Sequence, residues 1–330
     1  MTTLNTRPGH RYARLMSVGG YRGSRVVDNA EMCTMIDSSD EWIRQRTGIV
    51  ERRWATEDET PLSMSVAAGR KAIKRAGLTP DQIGAVIVST VSHFKQTPSL
   101  ACEVAAELGC PEPAAFDISA ACAGFSYGVG IAEGLIRSGS SDYVLVIGVE
   151  VLSRLTDFND RGTAFLFSDG AGATVVGPSD VPAIGPTVWG SDPKATKVIE
   201  IEDWKQKAAA GETPYIHMDG RTVFLWATTF IADKTKEALA LAGLEPHELD
   251  VFIPHQANNR ITDSMLRHLK LPESVVVSRD IVHMGNSSAA SVPLAMEALL
   301  ESGEATSGQN ALIIGFGAGL VFAGQVVTLP

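Results

Sequence analysis

Cysteine is scarce in this chain. There are four in 330 residues, Cys33, Cys102, Cys110 and Cys122, and no two form a CxxC pair. That spacing excludes a disulfide framework and a thiolate zinc cage, and it fits thiols kept reduced in the cytoplasm, the expected location. Long apolar runs are missing too. None approaches the roughly 18 residues of a membrane-spanning helix, and Met1-Thr2-Thr3-Leu4-Asn5 lacks the apolar stretch of a secretory signal. No membrane association is expected. Positive charge is in deficit, with 28 Lys and Arg against 38 Asp and Glu and a formal net charge of −10. Nucleic acid, which is held by a positive field, is therefore not an expected partner. An acidic partner would need a local basic patch.

What the chain does have is apolar and small. Hydrophobic residues make up 45%, and there are 31 glycines besides alanine-rich runs. This is the composition of a tightly packed α/β enzyme, long enough for one large domain or two ordinary ones. After a polar start, Ala13 to Val18 reads as a strand, and Val26-Val27 precedes a helix near Asn29. Ser39 or Asp40 then caps a short helix that carries Trp42 and Arg46 one turn apart on one face. Such a pair either stacks on a planar group or is a packed Trp beside a solvated Arg.

An internal repeat defines the architecture. Ala76-Gly77-Leu78-Thr79-Pro80 and the strand Val86-Ile87-Val88-Ser89 recur as Ala242-Gly243-Leu244-Glu245-Pro246 and Phe252-Ile253-Pro254-His255, an offset of 166. Glu133-Gly134-Leu135-Ile136-Arg137-Ser138-Gly139 before the strand Tyr143 to Val149 recurs as Glu297-Ala298-Leu299-Leu300-Glu301-Ser302-Gly303 before Ala311 to Gly315, an offset of 164. Each unit reads helix, glycine stop, turn, buried strand. Two related α/β halves are expected, joined across a stretch near 178–215 that is rich in Pro, Gly and charge and has no periodicity. In that frame Ser89 falls opposite His255, and Cys122 opposite Asn286, each near a strand end where open α/β sheets place their sites.

Three segments carry chemistry. In Ala115-Phe116-Asp117-Ile118-Ser119-Ala120-Ala121-Cys122-Ala123-Gly124-Phe125 a cysteine sits between a strand and an apolar helix among small residues. Free N–H groups and the helix dipole there favour a thiolate, and the small neighbours admit an electrophile. A buried core cysteine is the alternative. Val251-Phe252-Ile253-Pro254-His255-Gln256-Ala257-Asn258 sets a histidine just past a strand, and Gly285-Asn286-Ser287-Ser288-Ala289-Ala290-Ser291 repeats the small-residue turn with an asparagine. A nucleophilic thiol needs a proton acceptor, and an enolate oxygen needs donors; a hydrolase would want a carboxylate behind the histidine. His283 is a rival on a less apolar segment. Gly315-Phe316-Gly317-Ala318-Gly319 superficially looks like a dinucleotide loop, but too little chain follows it for a βαβ unit.

Together these three motifs closely resemble the β-ketoacyl-acyl carrier protein synthase III family of thiolase-fold condensing enzymes, from about Ser17 to the C-terminus apart from the 190–215 stretch. The resemblance implies an α/β, thiolase-like fold of two duplicated halves in αβαβα layers. Residues 1–180 would carry the nucleophilic cysteine, and 181–330 the histidine and asparagine. It implies a homodimer that uses acyl-CoA as substrate, with no cofactor and no metal: the acyl group loads onto Cys122 and condenses with malonyl-acyl carrier protein as CO₂ leaves. By position, His255 and Asn286 would hydrogen-bond the malonyl thioester oxygen, and the N–H groups of Cys122 and Ala318 would form the oxyanion hole. Contacts to CoA map onto Ser38, Trp42, Arg46, Arg161, Gly220 and Asn258, with adenine between Trp42 and Arg161 and Arg46 facing phosphate. Thr97 and Phe316 map onto the acyl pocket, Thr97 from across the dimer. A ring at position 97 fits short straight primers, so the smaller threonine implies room for a branched or longer one.

A basic patch is read from the residues themselves: Gln256, Ala257, Asn258, Asn259 and Arg260, with Arg267 seven positions on and on the same helix face. It is a candidate dock for an acidic carrier protein, or simply a solvated face. One departure stands out. Leu225 follows Val223-Phe224 where the family often has Lys or Arg, so one docking charge is missing. That keeps a second reading open, a starter-unit ketosynthase of a polyketide or other secondary-metabolite pathway. A thiolase would need a second cysteine at the glycine turn, an elongating ketosynthase a second histidine in place of Asn286, and a silent binding subunit would not need the intact triad.

Overall fold

The computed structural model describes residues 3–330. In chain order the first half contains β1 (Tyr12–Arg22), β2 (Arg25–Asp28), α1 (Asn29–Met35), α2 (Asp40–Thr47), β3 (Glu51–Trp54), α3 (Pro61–Arg75), β4 (Ala85–Ser89), α4 (Leu100–Leu108), β5 (Ala114–Ile118), α5 (Gly124–Arg137), β6 (Val144–Val151) and β7 (Asp169–Ser179). Then come β8 (Val188–Gly190), β9 (Ile199–Ile201), α6 (Trp204–Ala209), β10 (Ile216–Met218), α7 (Gly220–Trp226), α8 (Ala232–Leu241), β11 (Val251–Pro254), α9 (Asn259–Leu269), β12 (Val276–Val277), α10 (Ile281–Met284), α11 (Ser291–Ser302), β13 (Asn310–Gly317) and β14 (Val321–Thr328).

The repeat units fold into two copies of one sheet. The first has the order β1-β7-β6-β4-β5 and the second β8-β14-β13-β11-β12. In both, one strand, β7 or β14, runs antiparallel to both of its neighbours, and the other pairings are parallel. The local reasons are also duplicated. Helices α3 and α8 stop before Gly77 and Gly243, whose φ values of 71° and 74° lie in the left-handed region that a side chain disfavours. Pro80 and Pro246 then open short 3₁₀ turns into β4 and β11, and both strands are buried along their whole length, as parallel strands covered on two faces must be.

Five layers result. Phe125 and Val129 of α5 and Val292 and Met296 of α11 pack between the sheets against Ile87, Val146, Ile253 and Ile313. Outside, α3 and α4 cover the first sheet through Met64, Ile73, Leu100 and Val104, and α8 and α9 cover the second through Leu239, Ile261 and Met265. The thiolase-like arrangement expected from the sequence is therefore present.

The stretch near 178–215 supplies β8, which is the edge strand of the second sheet, β9 and α6, and β10 just after it pairs with β9. One expectation changes. The register of the repeat shifts within one unit. Gly139 and Gly303, which follow α5 and α11, are 164 apart, but Ala121 and Ser288, the left-handed residues of the turns before those helices, are 167 apart. The helix α5 has 14 residues and α11 has 12, and Ser138 adds one more before the glycine. Cys122 therefore lies opposite Ala289, and Asn286 is three residues upstream of that twin.

These two turns are pressed against strands of the opposite half. A Cβ on Gly315 of β13 would lie 2.7 Å from both the Cys122 carbonyl oxygen and the Ala123 Cα, and a Cβ on Gly148 of β6 would overlap the Ala289 carbonyl. Both obstacles are backbone, so neither can swing aside. Gly315→Ala is expected to destabilise the protein by about 1–3 kcal/mol, as overpacking does, and to displace the Cys122 turn. Denaturant unfolding together with the thiol alkylation rate checks this; unchanged values of both would show that the turn has slack.

Candidate active site

Cys122 occupies the 3₁₀ turn Ala121–Ala123, ahead of α5. Ala121 holds a φ of 43°, a conformation that costs a non-glycine residue roughly 1–3 kcal/mol and persists only when the surroundings enforce it. Ser288 and Leu320 repeat it at 48° and 43°, so three strained turns meet at one place. The glycine turn approaches most closely: a Cβ on Gly317 would sit 3.0 Å from the Cys122 Sγ and 3.1 Å from its N.

His255 follows β11 and is 3% exposed. Its N–H donates to the Ile314 carbonyl at 2.7 Å, its ring meets Phe316 edge-on at 5.3 Å, and its Nδ1 lies 2.7 Å from the Ser291 Oγ. That hydroxyl already accepts the Gln256 N–H at 3.3 Å. Ser291 therefore engages Nδ1, and Nε2 has no protein partner. Burial pushes the imidazole down to about 3, so it is neutral. Asn286 is fixed as firmly. Its N–H donates to the Leu166 carbonyl at 2.9 Å, and its Oδ1 accepts the Ser288 N–H at 2.9 Å, which leaves the Nδ2 amide free.

Cys122, His255, Asn286, Phe316 and Ala318 line a single cavity of about 860 Å³. The structure thus brings together the three segments singled out in the sequence, and it removes His283, whose side chain is 68% exposed and 3.7 Å from Glu51, well away from the cavity.

Burial opposes the thiolate that the free N–H groups and the dipole favour. It is the largest cause that pushes the Cys122 thiol up to about 12, with the Ser288 hydroxyl lowering it and the Glu150 carboxyl raising it by less. The thiol keeps some surface open to the cavity, but loss of hydration outweighs the helix dipole.

Other candidates sit differently from expectation. Ser38, Trp42, Arg46, Arg161, Gly220 and Asn258 do not line the cavity. Trp42 packs edge-on against Phe165 at 5.1 Å with Arg46 over its face at 5.3 Å, while Arg161 pairs with Asp37 at 3.3 Å. The face of Trp42 is thus taken by Arg46, not Arg161. Gly220 starts α7, and Asn258 caps α9 by accepting the Arg260 N–H at 2.8 Å. Gln256 is not available to a partner: it is 2% exposed, donates to the Pro254 carbonyl and accepts from the Ile281 N–H. Ala257 lines the cavity and Asn259 accepts from Arg279 at 3.3 Å. Arg260, over Phe224 at 5.4 Å, and Arg267 are exposed, as is Leu225. Thr97 is exposed and outside the cavity, whereas Phe316 lines it.

Sequence reading missed three contributors. The β9–β10 hairpin and the start of α6 wall the cavity with Ile199, Ile201, Trp204 and Met218. Ser288 and Ser291 were passed over as small filler in the asparagine motif. Glu150 was overlooked although a lone acid in the apolar strand VLVIGVEV is a signal: it is 0% exposed, and burial raises it to about 7. Among the described residues, no group of three or more His, Cys, Asp or Glu is placed to hold a metal, and no helix is long and apolar enough to cross a membrane.

Comparison with known proteins agrees with this geometry. Residues 116–193 match the family described as 3-oxoacyl-[acyl-carrier-protein (ACP)] synthase III, and residues 239–329 match its C-terminal domain. A Streptomyces glaucescens protein named β-ketoacyl-[acyl-carrier-protein] synthase III is 58% identical, with all of both chains covered. The chain belongs to the 3-oxoacyl-[acyl-carrier-protein] synthase III family and is a condensing enzyme of that type. Among solved structures, the priming β-ketosynthase of the R1128 polyketide pathway is 47% identical with a TM-score of 0.97 over 100% of this chain and 99% of that one. The 3-oxoacyl-[acyl-carrier-protein] synthase III of Aquifex aeolicus VF5 is 37% identical with a TM-score of 0.89 over 96% and 99%. Coverage by the first two includes the 190–215 stretch that the motifs alone left outside the resemblance.

The two buried groups leave opposite marks on stability. His255, at about 3 when folded against 6.5, contributes stability that is present above about pH 6.5 and is lost as pH falls toward 3. Glu150 rises from 4.5 to about 7, so across that window the unfolded chain is ionised while the native carboxyl keeps its proton, and stability falls as pH rises. Thermal unfolding of Glu150→Gln against the parent isolates this effect. The variant should gain on the parent as pH rises through the window, and a constant difference would show that the carboxyl ionises normally.

Proposed function

We propose that this chain starts acyl chains: it takes an acyl group from acyl-CoA onto Cys122, condenses it with malonyl-acyl carrier protein, and releases CO₂ and a 3-oxoacyl-acyl carrier protein. The observation that carries this reading is the convergence, on one cavity, of a thiol, an imidazole whose Nδ1 is engaged by Ser291 and an amide whose Oδ1 is engaged by Ser288, with no carboxylate behind the histidine. In the first half-reaction the Cys122 sulfur attacks the acyl carbonyl. The N–H groups of Cys122 and Ala318 hold the oxyanion, and CoA leaves. In the second, Nε2–H of His255 and Nδ2 of Asn286 donate to the malonyl thioester oxygen. As CO₂ departs, its bonding electrons become the enolate that those two donors stabilise. The enolate carbon then attacks the acyl-cysteine and expels the Cys122 thiolate. A neutral imidazole suits this work, because it donates a hydrogen bond without surrendering a proton.

In this reading residues 1–180 supply the nucleophile and 181–330 supply the donors. The enzyme is a cytoplasmic homodimer that needs no cofactor. Exposed Arg260 and Arg267 face the acidic carrier, and Ser38, Trp42, Arg46, Arg161, Gly220 and Asn258 form the CoA approach. This last assignment is supported by the packing of α2 on α9, where Gly48 lies against the Asn259 side chain. Thr97, exposed in the single chain, reaches an acyl pocket only across a dimer. A second reading, priming of a polyketide chain, draws support from the TM-score of 0.97 to a priming ketosynthase and from exposed Leu225 at the docking face.

Intact-protein mass spectrometry after a mixture of acyl-CoAs should show an adduct on the parent and none on Cys122→Ala; an adduct on the variant would place the nucleophile elsewhere. His255→Ala and Asn286→Ala should still load but condense roughly 10²-fold or more slowly, and normal condensation would remove them from the mechanism. On the primer, isobutyryl-CoA should compete well with acetyl-CoA, and Thr97→Phe should tilt the ratio toward acetyl. A strong acetyl preference in the parent would refute the branched or longer primer.

A further inference from the structure

Glu150 has no place in the chemistry above, yet it is built into the site. Its Oε2 accepts from Ser92 Oγ at 2.6 Å, Val91 N–H at 3.1 Å and Thr90 Oγ1 at 3.3 Å, and its Oε1 accepts from Ser288 Oγ at 3.3 Å. Hydroxyls and one backbone N–H are its partners, and no cation is among them. A carboxylate buried this way costs stability and would be better replaced by a neutral group of the same shape, unless its change of charge is used. The loop after β4 presents Thr90, Val91 and Ser92 to it, and the turn before α11 presents Ser288. Beside it on β7 is Gly170. Cys122 is the titratable group that acts on it from the remaining turn.

Ser288 is the bridge. It lines the cavity with Cys122, and the turn that carries it packs against the Cys122 turn. Its backbone does not require a hydroxyl, because the twin turn puts Ala121 in the same left-handed conformation. His255 is poorly suited to take the thiol proton, since Ser291 engages its Nδ1 and burial disfavours its charged form.

We propose that Glu150, through the Ser288 hydroxyl, accepts the Cys122 proton during acyl loading. This rests on the reading of Cys122 as the nucleophile. As the S–H bond breaks, its proton passes to the Ser288 Oγ, whose own proton moves to Glu150 Oε1. The sulfur pair forms the bond to the acyl carbonyl carbon, the bond from that carbon to the CoA sulfur breaks, and the proton returns along the same path to give CoA thiol. Nothing is oxidised or reduced, and no other reactant is required. The affinities fit the direction: a carboxyl at about 7 is a far better acceptor than an imidazole at about 3.

The test is the rate of adduct formation on Cys122, followed by intact mass with isobutyryl-CoA and with acetyl-CoA across neutral pH. The parent rate should rise through about pH 7 as Glu150 ionises. Glu150→Gln should load at least about tenfold more slowly and lose that rise. Ser288→Ala should also load about tenfold more slowly while keeping the carboxylate, in a backbone that tolerates alanine. A merely structural or through-space role predicts the reverse for Glu150→Gln, because removing a nearby negative charge makes the thiol easier to ionise. Loading of either variant at or above the parent rate overturns the relay and leaves Cys122 as nucleophile. Absence of any Cys122 adduct on the parent overturns that assignment, and the relay with it. Should Glu150→Gln fail to fold, Ser288→Ala decides alone.

Discussion

The site depends on one packing constraint, the contact of each half's turn with the other half's strand across a glycine. Gly148 lets the Ala289 backbone reach β6, and Gly315 lets the Cys122–Ala123 backbone reach β13. These are twin positions 167 apart, in the same register as Ala121 and Ser288. Because the contact is backbone on backbone, it leaves no side chain to yield and holds Ala121 and Ser288 in conformations that need enforcement by their surroundings. Cys122 and Asn286 belong to different sheets, and this crossing brings them to one cavity. A side-chain contact between the halves would bend. Two opposed backbones do not.

Once the turns are closed, the same packing excludes water, and desolvation becomes the dominant electrostatic effect. It holds Cys122 as a thiol, His255 as a neutral donor and Glu150 near the midpoint of its titration. The first outcome opposes attack by the sulfur and the second leaves a neutral donor, and they have one cause. An imidazolium would protonate the enolate that the reaction needs, so a site dry enough to keep His255 neutral is also too dry to store a thiolate. The nucleophile must then be ionised at the moment of attack, which makes a nearby acceptor a requirement rather than a refinement.

The duplication was readable because glycine stops and proline-opened turns are local signals, and they recur intact at Gly77 and Gly243 and at Pro80 and Pro246. The motif residues Cys122, His255 and Asn286 were readable for the same reason: each interrupts a pattern of apolar strand and small turn. What was not readable depended on distance through space. The 164-residue offset gave the wrong twin for Cys122, because three extra residues around α5 cannot be located until both helices are seen. Gln256 looked like a surface amide in the chain and proved to be a buried pin between β11 and α10, since nothing local to it announces Ile281. Desolvation is likewise a sum over neighbours from many segments, so the burial that opposes a thiolate at Cys122 could not be read from the helix dipole alone.

The two halves share a sheet order but differ in the side chains that face the cavity. Where one turn has Ala121-Cys122 the other has Ser288-Ala289. A thiol and a hydroxyl thus sit on adjacent twin positions, on turns that pack against each other. Asn286 lies three residues before Ala289, where the first half has Ser119, and its carbonyl oxygen is claimed by the backbone N–H of the same Ser288 whose hydroxyl reaches Glu150. One strained residue therefore holds the Asn286 amide through its backbone and reaches Glu150 through its side chain. Glycine or alanine there would keep the N–H that holds Asn286 and lose the hydroxyl that reaches Glu150.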